Sequence, residues 1–214
     1  MTDPTKPVVA VIGGTGALGS GLAGRWAKAG YPVILGSRAA EKAVLAAAAI
    51  GARGATNADA AMQAEIVVLT VPFAGREGIL DEIKACAVGK LVVDTTVPLM
   101  PPRVARVQLP PDDSAAVMAQ KHLAGARVVS AFHNVAAHKL AKSEPIDCDV
   151  LVFGDDPKDR EVVLELARAA DLRGIHAGPL ANSTAAEALT SVLIGINRNY
   201  KVDGAGIRIT VIKA

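Results

Sequence analysis

The feature that most constrains the fold is a glycine-rich turn directly after a short apolar run. Residues 8–12 (VVAVI) predict a strand that is buried on both faces, and the turn after it opens into a helix that Gly30 can end. Residues 32–36 (PVILG) predict a second strand. A strand, a helix and a strand within roughly thirty residues form a βαβ unit, which needs a parallel sheet with a right-handed crossover.

The rest of the chain continues this alternation, and the proline-rich residues 97–113 predict a long functional loop. Further strands are predicted at residues 52–55, 66–71, 91–94, 128–132, 150–153, 174–177 and 207–212. Helices are predicted at residues 39–50, 58–63, 78–87, 114–123, 159–170 and 183–198. The predicted fold class is therefore α/β, with a Rossmann-type, doubly wound, mainly parallel sheet and a small C-terminal α/β part.

The glycine-rich turn fits the pattern GxGxxG. After a buried strand and at the head of a helix, Gly14 permits the tight turn, Gly16 lets the backbone approach a pyrophosphate, and Gly19 lets the helix pack closely on the strand. The N–H groups of the helix N-terminus would then bind the phosphates. The alternative is that the glycines serve only the close contact between helix and strand. The predicted dinucleotide-binding residues of the turn are Gly14, Thr15, Gly16, Ala17, Leu18 and Gly19.

The end of the second predicted strand decides which dinucleotide binds. NAD-binding chains usually carry an Asp or Glu there, whereas this chain has Ser37 and Arg38, with Lys42 one turn into the next helix. A carboxylate would repel a 2′-phosphate, while a hydroxyl, a guanidinium and an ammonium bind one. The alternative, two solvated cations at a helix start, is disfavoured because cations are poorly placed there without an anion. These residues predict NADP(H).

Composition excludes several classes of function. The 214 residues carry 23 basic and 21 acidic side chains and only 3% aromatic residues, which gives no bulk attraction to nucleic acid and few rings for base stacking. No apolar run approaches the roughly 20 residues that cross a bilayer. Cys86 and Cys148 lack the spacing of a metal site or a disulfide framework. We therefore expect a cytoplasmic protein with no membrane or nucleic-acid partner and no metal.

Several segments spread over almost the whole chain resemble a known family. They are VIGGTGALGSGLA, GSRAAEKA, IVVLTVP, VVSAFHNVAAHKL, DVLVFGDD and AGPLANSTAAEALTSVLIGINR. Together they resemble the coenzyme F420-dependent NADP oxidoreductases, and the resemblance extends to the cytoplasmic NADPH domain of metalloreductases. It implies an oxidoreductase that transfers a hydride between NADP(H) and the deazaflavin F420, with no metal and no covalent nucleophile.

The resemblance also implies which residues hold NADP(H). In matching positions, Thr70, Val71 and Pro72 would line the route to the nicotinamide ribose at the end of a predicted strand. The residues that would hold the adenosine ribose phosphate are Thr15, Ser37, Arg38 and Lys42.

His133 matches a histidine that lies beside the deazaflavin in the family. There its ring would hydrogen-bond the deazaflavin and favour the anion that oxidised F420 forms, so it is the predicted catalytic residue. Val135 and Ala136, just after it, are predicted to contact the cofactors. The residues alone leave a structural alternative, in which His133 satisfies a backbone carbonyl at a strand end. Its place at the carboxyl edge of the sheet favours the functional interpretation.

Residues 185–196 predict an apolar helix in which Glu187 is the only charge. Such a helix is buried by the core or by a second subunit, and we expect a homodimer contact there. The predicted domains are residues 1–143, which bind NADP(H), and residues 144–214, which complete the substrate cleft and provide the dimer contact.

Two other functions remain open from the sequence. One is an NADPH-dependent flavin or ferric reductase, because the resemblance fixes the nucleotide better than the second small-molecule substrate. The other is a non-catalytic NADP(H)-binding redox sensor, because the chain offers no obvious general acid or base. Direct hydride transfer between two rings needs neither.

Overall fold

A computed structural model describes residue 3, residues 5–142 and residues 144–212. Strands and helices alternate along this part of the chain, and none of its helices is long and apolar enough to cross a membrane. The elements are β1 (Val9–Ile12), α1 (Ala17–Lys28), β2 (Val33–Ser37), α2 (Ala40–Ala48), β3 (Arg53–Thr56), α3 (Asn57–Gln63), β4 (Ile66–Leu69), α4 (Arg76–Ile83), β5 (Leu91–Asp94), α5 (Ala115–His122), β6 (Arg127–Ser130), α6 (Ala137–Leu140), β7 (Asp149–Val152), α7 (Pro157–Ala169), β8 (Arg173–His176), a short 3₁₀ helix (Leu180–Asn182) and α8 (Ser183–Tyr200).

The first six strands form one parallel sheet in the order β3-β2-β1-β4-β5-β6. This is the strand order of the doubly wound dinucleotide-binding fold, so the predicted fold class is confirmed. The central strands end level with one another, because Ile12 pairs with Gly36 and Leu69, and Leu69 pairs with Asp94. Their carboxyl ends therefore form one edge, which is where this fold binds ligands.

Alternate residues of each central strand face opposite layers of helices. In β1, Val9 and Val11 belong to one buried cluster, and Ala10 and Ile12 belong to the other. The first cluster includes side chains of α1, α2 and α7, and the second includes side chains of α3, α4 and α5. Because helices cover both faces of the sheet, the central strands β1 and β4 are apolar throughout, which explains the continuous apolar runs in the sequence.

The predicted small C-terminal part is also present. It consists of β7, α7 and β8, with the two strands paired in parallel. An antiparallel bridge between Ser130 and Phe153 joins it to the end of β6. The two parts share a core, in which the Trp26 indole N–H of α1 donates to the carbonyl oxygen of Leu166 in α7 at 2.7 Å.

The division into residues 1–143 and residues 144–214 stays a prediction. A buried contact crosses it, since the Arg25 guanidinium on α1 donates to the carbonyl oxygen of Ala170 in the second part at 2.8 Å. Ser143, at the predicted boundary, lies outside the described residues.

One sequence prediction of secondary structure is wrong. Residues 207–212 form no strand and run irregularly beside β7. The Ile209 N–H donates to the Asp149 carboxylate at 2.6 Å, and the Arg173 guanidinium donates to the same carboxylate at 2.6 Å. These side-chain contacts, together with a backbone hydrogen bond from the Asp149 N–H to the Ile207 carbonyl oxygen at 2.8 Å, hold the segment in place of a strand ladder, although its apolar, β-branched composition favours a strand.

A buried carboxylate fixes α8 to the start of α5. Glu187 is 1% exposed, and it accepts hydrogen bonds from the Ala115 N–H at 2.6 Å, the Ala116 N–H at 3.2 Å and the Ser114 hydroxyl at 2.8 Å. These groups begin α5, where N–H groups lack partners within their own helix. Burial raises the pKa of the Glu187 carboxyl, and the hydrogen bonds from α5 partly oppose this shift. The only charge of the predicted apolar helix is thus a cap for another helix.

Candidate functional site

A cavity of about 660 Å³ opens at the carboxyl edge of the main sheet. It follows the ends of β1, β2, β4 and β5 and the loops after them, where doubly wound sheets bind ligands. Its wall consists of Gly13, Thr15, Gly16, Ala17, Leu18, Ser37, Arg38, Asn57, Thr70, Val71, Pro72, Phe73, Ala74, Gly75, Arg76, Ile79, Thr95, Thr96, Val97 and Leu99.

The turn between β1 and α1 forms one wall of the cavity. Gly13 has a φ of +74°, which L side chains rarely adopt, and Asn57 accepts a hydrogen bond from its N–H at 3.4 Å. The tight-turn role predicted for Gly14 therefore belongs to Gly13. Gly14 is required by close packing, because a Cβ there would lie 2.7 Å from both the Leu35 side chain and the Val11 carbonyl oxygen.

The N-terminus of α1 faces the cavity with its N–H groups. Gly16 is the N-cap, no side chain caps the helix, and its first turn holds no acidic residue. A Cβ on Gly16 would meet nothing closer than 3.5 Å, whereas one on Gly19 would lie 2.5 Å from the Thr70 hydroxyl oxygen. Gly16 therefore leaves space for a ligand, and Gly19 serves close packing. Together with Ala17 and Leu18, the turn presents free N–H groups and a partial positive charge, which suit a phosphate.

Basic and hydroxyl groups lie at the β2 end of the cavity. Ser37 and Arg38 line it, and the Ser37 hydroxyl accepts a hydrogen bond from the Ala39 N–H at 3.3 Å, which leaves its own proton to donate. Arg38 is exposed, and its guanidinium forms no ion pair within the described part of the chain. Lys42 is exposed in the first turn of α2 and lies outside the cavity wall. Thr15, predicted to bind the same phosphate, is in the wall.

Thr70, Val71 and Pro72 line the cavity after β4. The Thr70 hydroxyl donates to the Ile12 carbonyl oxygen at 2.9 Å, so it also joins the ends of β4 and β1. Its oxygen remains available as an acceptor.

A buried charged pair adjoins the cavity, and neither of its members was among the predicted site residues. Arg76 and Asp94 are 3% and 0% exposed, and their nearest nitrogen and oxygen lie 3.2 Å apart. The Arg76 guanidinium also donates to the Ala115 carbonyl oxygen at 2.7 Å and lies 5.0 Å from the centroid of the Phe73 ring. The available signal was Asp94 at the end of a predicted strand. Its partner, Arg76, begins α4, and only the tertiary structure shows that the two residues meet.

His133 lies outside the cavity wall. It is 7% exposed, its Nε2 lies 2.8 Å from the Ser130 hydroxyl oxygen, and its ring centroid lies 6.4 Å from that of Phe153. Burial lowers the pKa of His133 to about 3, so the ring is neutral at physiological pH. The sequence had left open that His133 hydrogen-bonds a backbone carbonyl at a strand end. In the structure its ring pairs with the Ser130 hydroxyl.

Val135 and Ala136 also lie outside the cavity wall. Val135 belongs to a buried cluster, and Ala136 is the N-cap of α6. Just before them, the buried Phe132 has a φ of +67°, an unfavourable conformation for a bulky side chain. The predicted roles of His133, Val135 and Ala136 stay predictions.

The other grooves and side-chain clusters of the described chain give less support for a functional site. A second groove of about 560 Å³ is lined by residues of α1, α6 and α7 and contains none of the predicted site residues. Among the described residues, no group of three or more His, Cys, Asp or Glu side chains is arranged to hold a metal ion.

Solved structures share this fold. A candidate F420-dependent NADP reductase from Arthrobacter sp. FB24, solved at 1.70 Å, has a TM-score of 0.82 and 26% identity, with 95% of this chain and 99% of that chain covered. A reductive aminase from Aspergillus terreus in complex with NADPH and ethyl-5-oxohexanoate has a TM-score of 0.64 and 18% identity, with 92% and 63% covered. The aminase bears on the fold alone.

Sequence comparisons identify the family. A family described as NADP oxidoreductase coenzyme F420-dependent matches residues 8–98. F420-dependent NADP reductases from Methanocaldococcus jannaschii and Methanothermobacter thermautotrophicus are 40% and 43% identical to this chain, with 94% of this chain covered in both cases and 97% and 94% of the relatives. The resemblance carried by the sequence motifs is confirmed. The chain belongs to the family of F420-dependent NADP reductases.

Proposed function

We propose that this chain transfers a hydride between NADP(H) and the deazaflavin coenzyme F420. The observation that carries the proposal is the 40% and 43% identity, over 94% of the chain, to reductases named for this pair of co-substrates. A flavin or ferric reductase and a redox sensor have no comparable observation in their favour. The cytoplasmic location and the absence of nucleic-acid and membrane partners stay predictions of the composition.

The residues of the cavity fit NADP(H). The N-terminus of α1 would hold the pyrophosphate, because Gly16 leaves the space that the phosphates need and the uncapped N–H groups would donate to them. At the β2 end, Ser37 and Arg38 would hold the 2′-phosphate, with Thr15 and Lys42 beside them. The exposed guanidinium of Arg38, which has no acidic partner within the described residues, supports this assignment.

The contribution of the chain to hydride transfer is to orient the two co-substrates and to exclude water from the site. When bound, NADPH supplies a hydride from C4 of its nicotinamide to C5 of F420, which also takes up one proton from solvent. Val71, Pro72 and Leu99 line the β4 and β5 end of the cavity with apolar groups, which would keep water from the transferred hydride. Hydride transfer between rings in contact requires alignment and no nucleophile from the protein.

His133 would serve the second co-substrate as a neutral hydrogen-bonding group. Its Nε2 pairs with Ser130, while its Nδ1 has no partner among the described residues and is not enclosed. The positive φ of Phe132, directly before it, is the kind of strain that accumulates at functional sites. Val135, Ala136 and the part from β7 to β8 would complete the cleft for F420.

Two copies of the chain would pair through α8. Val192, Ile196 and Tyr200 are 45%, 37% and 75% exposed, and their spacing of four residues places them in one stripe along the helix. Pairing this stripe with its copy would bury apolar surface that the described part of the chain leaves in solvent.

The direct test is to mix the protein with NADPH and F420 and to follow the absorbance of the deazaflavin. We expect the absorbance of oxidised F420 to fall with NADPH and to fall far more slowly with NADH. Turnover with FMN, riboflavin or ferric chelates in the absence of any turnover with F420 would contradict the assigned co-substrate.

Replacing Arg38 with Ala should raise the KM for NADPH by about tenfold or more and change the KM for NADH little, because only NADPH carries the 2′-phosphate. Steady-state kinetics with both nucleotides measures this difference. Arg53→Ala, at an exposed arginine on the neighbouring β3, is the matched control and should leave both KM values unchanged. Equal effects of Arg38→Ala on both nucleotides would show that Arg38 does not contact the 2′-phosphate.

Replacing His133 with Asn should make stability less dependent on pH. The folded chain holds the His133 pKa at about 3, below the usual value of 6.5, so unfolding takes up a proton below pH 6.5 and wild-type stability is lost as pH falls. The stability advantage of wild type over the variant should shrink by about 2 kcal/mol between pH 7 and pH 5, as measured by denaturant unfolding.

The exposed His138 gives the control for that measurement, because solvent reaches its ring in the folded chain. His138→Asn should not reproduce the change. In kinetic measurements, His133→Asn should have a higher KM for F420 and an unaltered KM for NADPH. A parallel rise in both KM values would remove the assignment of His133 to the second co-substrate.

Replacing Val192 with Asp should separate the two copies, because the stripe would then carry two desolvated carboxylates. Sedimentation equilibrium should show a dimer of 21.8 kDa chains for wild type and a monomer for the variant. Leu45→Asp, at an apolar side chain of α2 that is 75% exposed, is the control and should stay dimeric. A monomeric wild-type chain at micromolar concentration would refute the pairing.

A further inference from the structure

One hydroxyl beside the cavity has no hydrogen-bond partner. Thr96 is 3% exposed, and its Oγ1 is the one buried side-chain nitrogen or oxygen without a partner among the described residues. Thr96 as a residue belongs to the cavity wall. A buried hydroxyl that has lost water without gaining a partner destabilises the folded chain, so the position calls for an explanation.

The neighbouring threonines are satisfied within the protein. The Thr95 hydroxyl donates to the Leu69 carbonyl oxygen at 2.7 Å, and the Thr70 hydroxyl donates to the Ile12 carbonyl oxygen at 2.9 Å. Each of these bonds joins the ends of adjacent strands. Thr96 stands at the same edge and in the same cavity wall, and its hydroxyl is the exception.

The backbone of Thr96 is held in a fixed position. Its N–H donates to the Asp94 carboxylate at 2.8 Å, and the other oxygen of that carboxylate pairs with Arg76 at 3.2 Å. Asp94 and Arg76 are both buried. The backbone that carries the hydroxyl is therefore fixed before any ligand binds, which lowers the entropy that binding must remove.

The place of Thr96 along the cavity indicates which part of a dinucleotide it would meet. Ser37 ends β2, and Gly16 follows β1. Thr96 follows β5, which lies two strands from β1 on the side away from β2. Two inter-strand spacings are about 10 Å. With the 2′-phosphate at Ser37 and the pyrophosphate at Gly16, the far end of the dinucleotide extends towards Thr96.

We propose that the Thr96 hydroxyl hydrogen-bonds the nicotinamide-riboside half of NADP(H). That half carries ribose hydroxyls and a carboxamide, which offer both donors and acceptors to a hydroxyl. The inference rests on the proposed function, since it requires NADP(H) to occupy the cavity. It makes Thr96 a cofactor-binding residue that the family motifs in the sequence did not single out.

The test compares Thr96→Val with Thr95→Val in the full chain without F420. For each variant, thermal unfolding of the free protein is measured together with the affinities for NADPH and for adenosine 2′,5′-bisphosphate, which lacks the nicotinamide-riboside half. Thr96→Val should leave the Tm unchanged or higher, because it removes an unpaired hydroxyl. It should weaken NADPH binding by about three- to tenfold and leave the bisphosphate affinity unchanged.

Thr95→Val should lower the Tm, because it removes the hydrogen bond from the hydroxyl at 2.7 Å and leaves the Leu69 carbonyl oxygen with the Thr95 N–H at 3.2 Å. Thr96→Ser keeps the hydroxyl and should retain most of the NADPH affinity. Equal NADPH affinity in wild type and Thr96→Val would overturn the proposal, as would an equal loss for the bisphosphate. Failure of wild type to bind NADPH would refute the proposed function itself.

Discussion

The site depends on four neighbouring parallel strands that end at the same level. β1 is paired in register with β2 and β4, and β4 with β5, so their carboxyl ends form one straight edge. The cavity residues follow these strand ends within a few positions or lie in the turns and helices that begin there. A slip of one residue in any of these strands would turn its buried side chains to the opposite layer and move its part of the cavity wall.

The sequence predicted the parts of the structure that depend on local pattern. The glycine turn, Ser37 and Arg38 at the end of β2, and the residues after β4 all lie close to apolar runs in the sequence, and the structure brings them to one cavity. Arg76 and Asn57 were not predicted, because each contacts a part of the chain that is distant in sequence. Thr96 was not predicted, because only the structure shows that its hydroxyl is buried without a partner. Residues 207–212 show the opposite failure, since their β-branched composition favours a strand but no neighbouring strand pairs with them in the described chain.

The charge distribution explains how a chain with a net charge of +2 can serve anionic ligands. The N-terminus of α1 supplies positive potential without any charged side chain, and Arg38 and Lys42 place full charges where the 2′-phosphate would lie. Arg76 is different, because Asp94 neutralises it in the core. Its guanidinium therefore has a structural role beside the cavity and adds little net attraction for phosphate.

The Glu187 cap has a consequence for the energetics of the whole molecule. Glu187 on α8 accepts the Ala115 N–H, Arg76 donates to the Ala115 carbonyl oxygen, and Arg76 pairs with Asp94. Asp94 in turn accepts the Thr96 N–H. These residues form one continuous polar network from the C-terminal helix to the cavity, so their contributions to stability are not independent. The losses from single substitutions at Glu187, Arg76 and Asp94 cannot be summed, because each substitution also removes the environment that gives the others their energetic value.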